Sequence, residues 1–80
     1  MSAVSRLRRA IPNPDELYRT NAPVSVIASL RWSTGASGWG PPRDVEALAL
    51  AWTLTAIEIA WTDNGKTQID WIDAQDIRRR

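Results

Sequence analysis

The sequence predicts a mainly β fold of short antiparallel strands, preceded by a short helical N-terminal arm. Asn64-Gly65 lies between two alternating apolar runs, and this dipeptide suits the tight hairpin turn whose central residues both take positive φ. Val24, Val26, Ala28, Leu30 and Trp32 recur at every second position, with Ser25, Ser29 and Arg31 between them. That is the period of a half-buried strand. Thr53, Thr55, Ile57, Ile59 and Trp61 are residue types that favour extended structure.

The elements follow in order. Residues 2–10 suggest a short basic helical turn with Leu7 and Ile11 on one side, ended at Pro12 because proline pushes its predecessor out of the α region. Asn13-Pro14-Asp15-Glu16 then provides a helix start: Asn13 can cap, Pro14 suits the first helical position, and Glu16 has capping-box spacing. This helix is expected to pass through Leu17 and Tyr18 and stop near Thr20, ahead of Pro23. Segments this short do not hold alone, so they should dock on the body or on a partner. A strand over 24–32 and a loop over 33–44 (STGASGWGPPRD) come next, with Trp39 set between Gly38 and Gly40.

Residues 44–62 fit two patterns. As strands, Val45, Ala47, Ala49 and Ala51 alternate with Leu48, Leu50 and Trp52, and Ile57, Ile59 and Trp61 line one face of a second strand. As one helix, Val45, Leu48, Ala49, Trp52, Ala56, Ile59 and Ala60 satisfy the i, i+3, i+4 spacing, with Asp44 as N-cap. The hairpin at Asn64-Gly65 favours the strands, because it needs an incoming strand to pair with Thr67, Ile69 and Trp71. Trp52, Trp61 and Trp71 each end an apolar run and are expected in the core.

The pattern V-x-A-x-A, a turn, I-x-I-x-W-x-D, a Gly-containing hairpin and W-I-x-A-x-D-I-R-R resembles the SH3-like small β-barrels, over residues 24–79. The resemblance implies a five-stranded antiparallel barrel over 23–80 behind an arm over 1–22. It also implies a 3-10 turn near 73–76, a last strand opening at Ile77, and a long first loop at 33–44 that helps frame a binding groove. The sequence departs from the pattern at Thr53–Thr55, where the turn has neither Gly nor Asn. It also lacks the acidic loop and paired tyrosines of SH3 domains that bind proline-rich ligands.

Composition narrows the function. Eighty residues make one small domain with a modest core. Five tryptophans, one tyrosine and no phenylalanine leave the indoles to supply much of the buried area, at about 150–250 Å² per ring. Cysteine and histidine are absent, which removes thiolate nucleophiles, imidazole bases, disulfides and the usual zinc ligands. No cofactor, metal site or catalytic residue is expected. The arginines near the N-terminus have no apolar h-region behind them, and the apolar run over 45–61 holds Glu46 and Glu58 and is short for a membrane span. A cytoplasmic protein is expected, and a cysteine-free, arginine-rich module of this size is similar to accessory proteins of bacteria or their phages.

Net charge is +1, unevenly spread: formal charges give +3 over 1–31 and −6 over 44–76, with Arg78, Arg79 and Arg80 beyond. Asp63, Asp70, Asp73 and Asp76 are the only cluster fit for acid–base or cation chemistry, but Asp63 precedes a hairpin turn and Asp73 begins a helical turn, both places where aspartate accepts backbone N–H bonds. A non-catalytic interaction module is the preferred expectation, binding a protein partner or a second copy. Trp32, Trp39, Tyr18 and Arg43 are its candidate contact residues. Trp39 has two readings, partner anchor or cap on the open end of the barrel. The alternative is a nucleic-acid-binding protein using Arg6, Arg8, Arg9, Arg78, Arg79 and Arg80 on phosphates, set against the view of these arginines as solvated ends.

Overall fold

The computed structural model describes residues 6–34 and 38–80. It is mainly β, with five strands: β1 (Tyr18–Leu30), β2 (Arg43–Trp52), β3 (Ala56–Asp63), β4 (Lys66–Asp73) and β5 (Ile77–Arg79). They form one antiparallel sheet in the order β4-β3-β2-β1-β5. The alanine-rich middle is therefore two strands and not one helix. Among the described residues no helix is long and apolar enough to cross a membrane.

Local chemistry explains the turns. Asn64 and Gly65 take φ of 50° and 81°, the left-handed pair a two-residue hairpin requires, and Asp63 pairs with Lys66 across it. The β2–β3 turn does without glycine because Thr53 supplies the hydrogen bonds. Its hydroxyl accepts from the backbone N–H of Thr55 at 3.3 Å and of Ala56 at 3.1 Å, while its own N–H donates to the Ala56 carbonyl at 2.8 Å. A 3-10 turn, Ala74–Asp76, leads into β5 at Ile77 as expected, and its first N–H donates to the Thr55 carbonyl.

The core lies on one face of the sheet. Val26, Ala28, Leu30, Ala47, Ala49, Ile59, Trp61 and Ile72 are buried there, with Leu7 contributed from outside the sheet. Register places Ala47 between Val26 and Trp61, and Ala49 between Val24 and Ile59. Small residues on the middle strand leave room for the large side chains beside them.

Two expectations fail. The sheet does not close into a barrel: β5 has only three residues and pairs with β1 alone, so β4 and β5 remain separate edges. The N-terminal arm is not helical either. Asn13 does cap, accepting from Asp15 N–H at 3.1 Å, but what it starts is one 3-10 turn, Pro14–Glu16. The chain is extended again at Leu17, and β1 begins at Tyr18, so the boundary drawn at 22/23 falls inside that strand. Tyr18 gains more from stacking on Trp52, with ring centroids 5.0 Å apart, than a single helical turn returns. Residues 20–23 interrupt the β1–β2 ladder, whose register slips between Arg19 and Val24.

The helical turn proposed over 2–10 lies outside the described residues for 2–5. Residues 6–10 are extended. Leu7 bridges Trp32, the Arg8 N–H donates to the Arg31 carbonyl, and the Ala10 N–H donates to the Trp71 carbonyl, both at 2.8 Å. This segment thus crosses from the end of β1 to the free edge of β4.

Trp71 departs from its expected core place. Side chains alternate along β4, and buried Asp70 and Ile72 take the core face. Trp71, opposite Glu58, shares the outer face with Ile69. Trp61 is buried as expected, and Trp52 is half-buried.

Candidate functional site

At the end of the sheet where β1 leaves for the long loop, an open cleft of about 390 Å³ separates the N-terminal segment from β4. Arg6, Leu7 and Arg9 line one side, Asp63, Gln68 and Asp70 the other, with Trp32 and Trp61 between them. The two indoles meet edge to face, 6.1 Å between centroids at 68°, a favourable aromatic geometry. Trp61 is buried, and half-buried Trp32 presents an aromatic wall.

Two of the polar side chains of this cleft, Arg9 and Asp70, are committed to each other. Asp70 is only 8% exposed; its Oδ1 accepts from Arg9 Nε at 2.6 Å and its Oδ2 from Trp61 Nε1 at 2.9 Å. A buried carboxylate is tolerated here because both oxygens are bonded and a guanidinium neutralises it. Arg8 lies 3.6 Å from Asp73. Of the four aspartates singled out in the sequence, Asp70 and Asp73 thus face arginines, and among the described residues no three acidic groups gather as a metal site would require.

The long loop adjoins the cleft. Ser33 pairs with Trp39 on one side and with Arg6 on the other, through Ser33 N–H to the Arg6 carbonyl at 2.8 Å and Arg6 N–H to Ser33 Oγ at 3.0 Å. Gly40 N–H donates to the Trp32 carbonyl at 2.8 Å, and a Cβ at Gly40 would stand 3.4 Å from that carbonyl oxygen. Arg31 Nη1 adds a bond to the Gly40 carbonyl at 3.2 Å. The loop is thereby folded against the strand end, and Trp39 is left 44% exposed. Residues 35–37 of the loop lie outside the described residues.

Trp32, Trp39 and Arg43 therefore share one end of the molecule, since Arg43 opens β2 opposite Leu30. Tyr18 does not join them. It pairs with Trp52 at the far end of the same ladder, 57% exposed. Sequence reasoning named Asp70 as a candidate acid and Trp61 as a core residue, but missed the bond between them and the fixed place of Arg9. The only signal was an aspartate at the second position before Ile72, on the strand face that proves to be the core.

The six arginines proposed for phosphate contact are divided. Arg8 and Arg9 face Asp73 and Asp70, Arg78 reaches Asp44 and Arg80 reaches Glu46, both at 2.8 Å. Arg78 and Ser29 hydrogen-bond the Asp44 carboxylate and hold its pKa below the usual range. Arg6 and Arg79 make no ion pair among the described residues.

No family model matches the chain, and no curated protein or solved structure matches it. Function must come from the geometry.

Proposed function

We propose that the protein is a small non-catalytic interaction module that binds a protein partner at the cleft beside the long loop. One observation carries this reading: the Trp32 wall and Arg6, which makes no ion pair among the described residues, line the cleft, and half-exposed Trp39 pairs with Ser33 next to them. Aromatic and arginine side chains around a partly desolvated cleft are the usual anchors of protein interfaces. The partner that fits is an extended segment with an apolar side chain for Trp32 and Trp39 and a neighbouring carboxylate for Arg6. The strand order and the 3-10 turn before β5 support reading the sheet as SH3-like, with the loop over 33–44 beside the binding surface. The extended N-terminal segment takes part as a wall of the cleft.

Nucleic-acid binding through the basic ends is the weaker reading, because four of those six arginines already face carboxylates.

Selection from a random peptide library tests the proposal. Enriched peptides should pair an apolar residue with an acidic one, shift the Trp32 and Trp39 indole resonances, and lose at least tenfold in affinity against Trp39→Ala. Peptides that leave both indoles unmoved overturn it. Retardation of a DNA or RNA fragment at about 50 mM salt, where charge-driven binding is strong, would favour the second reading.

A further inference from the structure

We propose that the open end of the core, beside β5, is a binding site for a small monocarboxylate with an apolar body, such as a medium-chain fatty acid, held by Arg79. The site shares no lining residue with the cleft and does not depend on the cleft reading.

The hollow follows from the way the sheet is built. Val24, Val26, Ala49, Trp52, Ile57 and Ile77 line a space of about 240 Å³. They come from β1, β2, β3 and β5, and two strands separate β3 from β5 in the sheet. The sheet therefore bends around the space without closing over it. Ala49 leaves room in the floor, because its side chain is a single methyl group. The strand beyond it carries an extra residue: Ala49 stands opposite Ile59 and Ala51 opposite Glu58, so two steps on β2 match one on β3. Such a bulge re-aims the side chains that follow. It turns Trp52, which plain alternation from Ala49 would send to the outer face, onto the core face opposite Ile57. Tyr18 stacks on the Trp52 ring and supports this wall.

The charge comes from β5. Ile77 packs against the core, and Arg79, two residues on, takes the same face opposite buried Val26. The other polar side chains of the lining are engaged. Thr53 Oγ accepts from the N–H groups of Thr55 and Ala56, and Arg78 donates to Asp44. Arg79 makes no ion pair among the described residues, and no acidic residue lines the hollow.

A cation without a counter-ion beside an apolar hollow is complementary to one kind of ligand, with an anion at the rim and hydrocarbon within. A guanidinium holds a carboxylate through two parallel N–H bonds, and the hydrocarbon gains by leaving water. At about 240 Å³ the space is smaller than the roughly 300–1,000 Å³ pockets that take drug-sized molecules. One short chain suits it.

Octanoate is the probe, followed by NMR of the labelled indoles in the whole chain. It should bind saturably at roughly millimolar concentration, shifting the Trp52 indole resonance and leaving those of Trp32 and Trp39 in place. Octanol, the same body without the charge, should bind about tenfold more weakly. Arg79→Gln should lower octanoate affinity about tenfold and leave octanol unaffected. Arg80→Gln, which removes an equal charge from the pair with Glu46, should change neither. Ala49→Leu fills the floor and should abolish binding of both probes. If that variant fails to fold, Val24→Phe at the half-buried rim serves instead. Octanoate that does not saturate, moves all the indoles alike, binds no better than octanol, or keeps its affinity for Arg79→Gln overturns the proposal. A chain that ignores octanoate yet selects peptides at Trp39 would sink this site alone.

Discussion

Arg9 donates from Nε to Asp70 Oδ1 at 2.6 Å, tying the N-terminal segment to a buried carboxylate on β4. Trp61 Nε1 holds the other oxygen. The three groups therefore tie the N-terminal segment to both strands of the β3–β4 hairpin, and the Arg9–Asp70 pair joins the two sides of the cleft that Trp32 lines.

Breaking that link should cost more than breaking a surface pair. Arg9→Ala leaves the Asp70 carboxylate buried with Trp61 as its remaining side-chain partner, an expected loss of about 1–3 kcal/mol. Arg80→Ala removes a pair with Glu46 in which both side chains are mostly exposed, an expected loss of about 0–1 kcal/mol. Urea titrations followed by tryptophan fluorescence measure both. A double-mutant cycle of Arg9→Ala with Asp70→Asn isolates the coupling. Equal losses for the two arginines would show that the buried pair adds nothing.

The extended N-terminal segment makes a second contrast. Leu7 is buried among core residues, whereas Ile11 is 93% exposed although the two are close in sequence. Leu7→Ala should destabilise by about 2–3 kcal/mol through lost burial and the space left behind. Ile11→Ala should stay within about 0.5 kcal/mol. A helical arm with both side chains on one face would give similar losses, so the ratio decides between the two backbones.

Thr53 stands in for the glycine or asparagine that its turn lacks. Thr53→Val keeps the shape but deletes the acceptor for two backbone N–H groups, one of them on buried Ala56. The expected loss is about 1–2 kcal/mol. Thr53→Ser, which keeps the hydroxyl, should recover most of it. Unfolding midpoints for the three proteins check this, and a valine variant as stable as the serine variant would contradict the role of the hydroxyl.

The strands were legible where local chemistry is decisive. Asn64-Gly65 marks its own hairpin, and the alternation from Val24 to Leu30 marks the buried face of β1. Two features were not legible because long-range partners decide them. The core face of β4 could not be read from alternation, since Ile69 and Trp71 look more apolar than Gln68 and Asp70. Only the arrival of Arg9 and Trp61 makes the aspartate a core residue. The arm misled for the same reason: Asn13 and Pro14 do start a turn, but the stack of Tyr18 on Trp52 recruits the following residues into a strand. For the proposed site, the sequence singled out Trp39, Trp32 and Arg43 one by one as candidate contacts. Arg6 entered only as a possible phosphate contact, and its place beside Ser33 depends on pairing across the chain.

Asp44 yields a prediction about pH. Arg78 donates to its Oδ2 at 2.8 Å and Ser29 adds a second bond, and these lower its pKa against a smaller opposing effect of burial. A carboxylate with a lower pKa folded than unfolded binds its proton more readily in the unfolded chain. Its stabilising contribution is therefore complete above the unfolded pKa and disappears as pH falls through the folded one. Arg78→Gln should raise the Asp44 pKa toward the ordinary carboxylate value, measured by NMR titration of the side-chain carboxyl. The same substitution should flatten the acid limb of stability against pH. Because both partners are more than half exposed, added salt should shrink the difference between the two proteins. A shift in Asp44 that survives Arg78→Gln unchanged would assign it to Ser29 instead, and β5 would then lose its electrostatic tie across β1 to β2.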